Sequence, residues 1–113
     1  MAVYEIRRYV TDRGKDEFDR WVRSLGDTQA KARIATRLER LAAGNLGDCK
    51  PLYDGVWELR IDHGPGYRVY YARAGHALIL LLCGGDKRKQ QADIKRAISY
   101  WNDWQRRNKH AQT

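Results

Sequence analysis

No apolar run in this sequence is long enough to cross a bilayer. The longest, Ala77 to Cys83, has seven residues, against the roughly 18–20 that a spanning helix needs. The N-terminus, Met1-Ala2-Val3-Tyr4, reads as the start of a strand rather than a signal peptide. The expected compartment is therefore the cytoplasm, with no membrane partner. Cysteine is scarce: only Cys49 and Cys83 are present. Neither has a second ligand at metal spacing, so no metal site is read. In a reducing compartment both are expected as free thiols, with Cys83 a small buried hydrophobe on its strand. There is no internal repeat and no low-complexity segment. Acidic side chains are in the minority, 14 Asp and Glu against 22 Lys and Arg, for a net charge of +8. That surplus favours a polyanionic partner, either nucleic acid or an acidic protein. The plainer alternative is a basic, solvated surface with no specific partner.

The 113 residues predict a single domain, 1–113. With 42% apolar residues, including four Trp, seven Tyr and one Phe, the chain has the means to bury a core. Tyr4 to Tyr9 alternates and predicts a first strand. Asp16 to Leu25 carries Phe18, Trp21, Val22 and Leu25 at helical spacing and ends at Gly26. Asp27 is an N-cap for a second helix reaching about Ala43. Ile34, Leu38 and Leu41 of that helix face the core, while Lys31, Arg33, Arg37 and Arg40 lie outside the stripe and read as a solvated basic face. The short link makes the pair an antiparallel helical hairpin. Gly44 to Gly55 reads as a loop.

Three strands follow: Val56–Asp62, Tyr67–Arg73 and Ala77–Cys83. The third is apolar without alternation, as a central strand covered on both faces would be. Gln90 to about Arg107 predicts the last helix, with Ile94, Ala97, Ile98 and Trp101 at helical spacing, and 108–113 is expected to fray. Trp21, Trp57 and Trp101 are expected in the core and Trp104 at the surface. The order β-α-α-β-β-β-α predicts an α+β fold: a helical hairpin, a small, mainly antiparallel sheet and a C-terminal helix.

Arginines inside strands need a reason. Alternation turns Trp57, Leu59 and Ile61 to one face and Glu58, Arg60 and Asp62 to the other. On the next strand Tyr67, Val69 and Tyr71 oppose Arg68 and Tyr70. Glu58, Arg60, Arg68 and Tyr70 are thus expected on one open face. Gly84-Gly85 is expected to make a sharp turn that brings Asp86, Lys87, Arg88 and Lys89 to its end. Such a face suits phosphodiester chemistry. Arginine forks bind two phosphate oxygens and stabilise charge as it develops, while a base and an acid handle protons. Glu58, Asp86, His63, His76 or a lysine of lowered pKa are all available, and the residues alone select none. Tyr70 is suited to stack on a base or to donate a hydrogen bond. The bland alternatives are strand-surface charge pairs for Glu58 and Arg60, a solvated helix start for Lys87 to Lys89, and turn positions for His63 and His76.

The run Trp57-Glu-Leu-Arg-Ile-Asp62, then Gly64-Pro-Gly-Tyr-Arg-Val-Tyr-Tyr71, then Gly84-Gly-Asp-Lys-Arg88 with Gln90, Asp93, Ile94 and Ala97, resembles the RelE/ParE superfamily of bacterial toxins. Its nearest branch is that of the addiction module killer proteins, similar to HigB-like and phage Gp49-like toxins. The resemblance runs from Tyr4 to about Arg107. It implies a microbial-RNase-like fold and a cytoplasmic bacterial toxin that cuts mRNA, often on the ribosome, without metal or cofactor. It also implies a cognate helix-turn-helix antitoxin, through which alone the toxin would meet operator DNA. Carried over by residue, the catalytic cations are Arg68, Arg60 and Lys87. Arg88 and Lys89 stand beside them for RNA binding, with His63 and Tyr70 as further RNA contacts. Glu58 and Asp86 are candidates for proton transfer. The chain departs from the pattern in having Asp93 where RelE-type toxins carry a tyrosine, and no histidine between Gly84 and Gln90. Two other activities fit the same resemblance: a ParE-like poison of DNA gyrase, and an inactive module that only binds the antitoxin.

Overall fold

The computed structural model describes residues 3–109. The expected tail from residue 110 on, and Met1 and Ala2, lie outside them. The elements are β1 (Glu5–Arg8), α1 (Glu17–Ser24), α2 (Thr28–Ala42), β2 (Cys49–Pro51), β3 (Val56–Ile61), β4 (Tyr67–Ala74), β5 (Leu78–Asp86), a single 3₁₀ turn (Lys87–Lys89) and α3 (Gln90–Arg107). The sheet order is β1-β5-β4-β3-β2. Among the described strands only the β1–β5 pair is parallel. The α+β architecture is as expected, with one strand more. The segment Gly44–Gly55, read as a loop, contains β2, which pairs antiparallel with β3 through Cys49↔Leu59 and Pro51↔Trp57. A three-residue strand holding a proline at the sheet edge has too little alternation to be seen in sequence.

α2 starts where its expected cap, Asp27, puts it, and α1 is capped in the same way by Asp16. Asp16 accepts a hydrogen bond from Asp19 N at 3.0 Å, and Asp27 accepts from Gln29 N and Ala30 N. Capping of this kind is worth about 1 kcal/mol per helix. α1 and α2 bury Phe18, Ala30, Ile34 and Leu41 against Leu59, Ile61, Tyr67, Val69, Tyr71, Ile79 and Leu81 on one face of the sheet. α3 lays Ile94, Ala97 and Trp101 on the other face, against Val56, Tyr70, Ala72, Leu80 and Leu82. β5 is therefore covered on both sides, which explains its unbroken apolar run. Leu82 is the extra residue of a bulge, because the register steps from Tyr70↔Cys83 to Tyr71↔Leu81. Trp101 is buried, whereas Trp21 and Trp57 are only half-buried and Trp104 is half-buried through its stack on Trp101 at 5.5 Å.

Two expectations are overturned here. The sheet face carrying Glu58 and Tyr70 is not open: α3 covers it, and both residues have 0% exposure. Nor do Gly84 and Gly85 make a turn. They are paired strand residues, opposite Val69 and Arg68. A side chain at Gly84 would collide with the Trp21 ring, and one at Gly85 with the Asp93 carboxylate. Glycine is needed there for close approach, not for backbone freedom.

Tyr9 ties β1 to α3. Its hydroxyl donates to Asp103 Oδ2 at 2.6 Å and its ring stacks on Tyr100 at 4.8 Å. Burial first, then the Asp103 carboxylate, pushes the Tyr9 phenol up from 10.0 to about 12. The neutral phenol is the form the fold favours, so its contribution is complete below pH 10.0 and drains away as pH rises toward about 12. The stability difference between wild type and Tyr9→Phe should shrink across that interval in urea titrations at stepped pH. Gly85→Ala should overpack the β5–α3 contact and cost about 1–3 kcal/mol, read as a lower urea midpoint at unchanged slope.

Candidate functional site

The antiparallel β3–β4 pair sets Glu58 opposite Tyr70 and Arg60 opposite Arg68. Glu58 has no exposed surface. Arg68 Nη1 donates to its Oε1 at 2.9 Å, and Gln90 Nε2, from the first turn of α3, donates to the same oxygen at 3.0 Å. Lys50 Nζ of β2 stands 3.9 Å from Oε2. Taking a carboxylate out of water costs several kcal/mol unless a cation meets it, and here Arg68 does so. Glu58, expected as a proton handler on an open face, is instead the buried counter-charge that holds Arg68. Tyr70, expected to meet an RNA base, is sealed under α3, where burial first and the Glu58 and Asp93 charges next push its phenol upward.

Arg68 is turned toward a cleft of about 480 Å³ at one end of the sheet. Its walls include Asp48, Arg60, Asp62, Tyr67 and Lys87, and the turn Gly64-Pro65-Gly66 forms its rim. Arg60 is half-exposed and holds Asp48 through Nε at 3.1 Å and Nη2 at 2.8 Å. Lys87 is exposed and has no ion-pair partner among the described residues. Three of the expected cations, Arg60, Arg68 and Lys87, are therefore brought together.

The other candidates are not. Asp86 caps the 3₁₀ turn and is clamped by Arg88 at 2.8 Å. The Arg88 hydrogen bonds, side chain first, hold its carboxyl below the usual range, so it stays ionised and makes a poor proton donor. Arg88 is locally neutralised by the same pair, and Lys89 is exposed beyond it. His63 Nε2 lies 2.8 Å from Asp27 Oδ2, which fastens the β3–β4 turn to the N-cap of α2 and takes His63 off the cleft wall. His76 sits in the turn at the far end of the β4–β5 hairpin, about 23 Å from the cleft at strand rise.

Asp48 and Tyr67 are cleft residues that the sequence did not single out. Asp48 precedes the unseen strand β2, and Tyr67 was counted only with the apolar set. Arg37, read as solvated, is half-buried and donates to the Arg60 carbonyl at 2.7 Å. Among the described residues no three His, Cys, Asp or Glu side chains gather as a metal site.

The two ion pairs of the cleft should differ sharply in worth. Arg68→Ala leaves Glu58 buried and uncompensated and should cost about 3–5 kcal/mol. Asp48→Ala removes an exposed pair and should cost no more than about 1 kcal/mol. Urea denaturation of the two variants checks the ratio.

Among known proteins, the family model described as "Phage derived protein Gp49-like (DUF891)" matches residues 20–99. That span takes in every residue of the cleft. A protein of Haemophilus influenzae, named only as uncharacterized, is 52% identical over 80 residues, covering 71% of this chain and 81% of its own length. The chain belongs to the phage-derived Gp49-like family, a family associated with toxin–antitoxin modules.

Proposed function

We propose that this protein is the toxin of a toxin–antitoxin module and acts as a metal-independent endoribonuclease of the RelE/ParE kind. The observation that carries the reading is the convergence of Arg60, Arg68 and Lys87 on one open cleft, with Arg68 fixed from behind by a buried carboxylate. An orienting contact of that kind is what a guanidinium needs to meet a phosphate in one geometry. Its cognate antitoxin is a helix-turn-helix protein, and only through it does the toxin reach operator DNA. Its substrate is mRNA, on the ribosome or free.

In this reading the 2′-hydroxyl of the substrate attacks the neighbouring phosphorus. The 2′-oxygen–phosphorus bond forms, the bond to the 5′-oxygen breaks, and a cyclic phosphate and a free 5′-hydroxyl result. Arg68 and Lys87 offset the charge that develops on the non-bridging oxygens. Asp62 is a cleft carboxylate with no ion-pair partner among the described residues, whereas Asp48 is held by Arg60. Asp62 therefore takes the 2′-hydroxyl proton. The phenol of Tyr67, another cleft residue, donates to the leaving oxygen.

Arg68→Ala is a poor test, because the same change unbalances Glu58. Lys87→Ala is cleaner, since Lys87 is exposed and has no ion-pair partner among the described residues. Its melting temperature should match wild type while cleavage falls about 10²-fold or more. Primer extension on abundant transcripts after induction, together with cleavage of a defined RNA by purified protein, gives the readout. Growth arrest without new RNA ends, accompanied by loss of gyrase supercoiling, would replace the nuclease by a gyrase poison. Tight antitoxin binding with neither effect would leave an inactive binding module.

A further inference from the structure

We propose that single-stranded RNA entering the cleft continues along a second groove on α2, where Arg33 and Arg40 hold its backbone phosphates. The proposal rests on the nuclease reading and names the path of that substrate. The groove, about 480 Å³, is lined by Arg33, Arg37 and Arg40 with Ala32 and Thr36 between them. It shares Ile61 and Asp62 with the cleft, so the two are continuous.

Charge bookkeeping sets this groove apart. Of the arginines, ten are in ion pairs with carboxylates: 7, 8, 20, 23, 60, 68, 88, 96, 106 and 107. Among the described residues, five are not: Arg13, Arg33, Arg37, Arg40 and Arg73. Three of those five line this groove. The only acidic residue of α2 is Glu39, and Asp62 is the only carboxylate in the groove wall. Ten of the twelve arginines outside the groove are neutralised locally by a carboxylate, whereas Arg33 and Arg40 in it are left for a partner.

The groove is also held in place relative to the cleft. Arg37 Nη1 donates to the Arg60 carbonyl and Nη2 to the Leu46 carbonyl at 3.4 Å. The His63–Asp27 bond fixes the start of the helix to the turn on the cleft rim. Arg33 and Arg40 lie about 10 Å apart along the helix axis and both are exposed.

The lining favours RNA over an acidic protein. Protein partners draw affinity from large apolar or aromatic anchors seated in pockets. Beside these arginines the lining holds only alanine, threonine, Asp62 and Ile61, and Ile61 is itself buried in the core. Backbone phosphates need charge and an open channel, and nothing more.

The test measures binding of a fluorescein-labelled, 2′-O-methyl oligouridine of roughly twelve nucleotides, within the site sizes of single-strand binders. The modified riboses cannot be cut, so binding is read without turnover. Arg33→Gln/Arg40→Gln is compared with wild type and with Arg7→Gln/Arg23→Gln, which removes the same charge from paired arginines elsewhere. The α2 variant should lower the slope of log affinity against log salt by about 1.4, and affinity by roughly 25-fold at about 0.1 M salt. Cleavage of a dinucleotide that fills only the cleft should be unchanged. Equal binding by the α2 variant and wild type would overturn the path and leave the nuclease standing. Equal losses in both double variants would reduce the effect to net charge and overturn it too. Loss of oligoglutamate binding with RNA binding intact would assign the groove to an acidic protein instead. No RNA binding by wild type would overturn the path, and only if no new RNA ends appear in cells either would the nuclease reading itself be removed.

Discussion

Glu58 is a carboxylate with no exposed surface, and much of the sheet is arranged to neutralise it. β4 supplies Arg68, α3 supplies Gln90, and β2 brings Lys50 to the far oxygen. Three elements beyond its own strand therefore converge on one buried charge. A slip of the β3–β4 register would strand that charge against apolar side chains, so the pair helps to specify the register as well as to hold it. The same guanidinium reaches the cleft with its side chain 13% exposed. Binding an anion and keeping Glu58 neutralised are thus tasks of a single side chain. A change that serves one is felt by the other.

Elements with a strong period or a cap were legible in the sequence. The Phe18–Leu25 stripe, the Asp27 cap and the apolar run of β5 all appear where the pattern put them. β2 was not legible, because three residues at an edge carry no period. The open face was misjudged for a different reason. Alternation says which residues share a side of a sheet, but not what lies over that side. Ile94, Ala97 and Trp101 formed an apolar stripe that needed a surface, and the face of Tyr70 and Leu80 is the one they found.

The site divides in the same way. Arg60, Arg68 and Lys87 could be picked out as cations at strand and turn positions, and they do converge. Tyr70 and Glu58 obeyed the alternation and were still misassigned, because their burial depends on a helix far along the chain. Gly84-Gly85 invited a turn because paired glycines usually mark one; the contacts of Trp21 and Asp93 supply the other reason for a missing side chain. Asp48 enters the cleft only through the pairing of β2 beside it. His63 looked like a turn residue with chemical potential and proved to be a fastener between two elements.

The parallel edge strand sets an order of assembly. β1 pairs with β5 through Glu5↔Leu78, with the helical hairpin and three strands between them in the chain. Loop closure over so long a stretch is slow compared with zipping adjacent hairpins. The cleft draws mainly on β3, β4 and the turn between them, with Asp48 before β2 and Lys87 after β5 completing its walls, all joined by pairing of neighbours in the chain. On a translating ribosome, β1 is made early and can dock only after β5 has emerged. The anion-binding end of the sheet is free to form ahead of the strand that closes it.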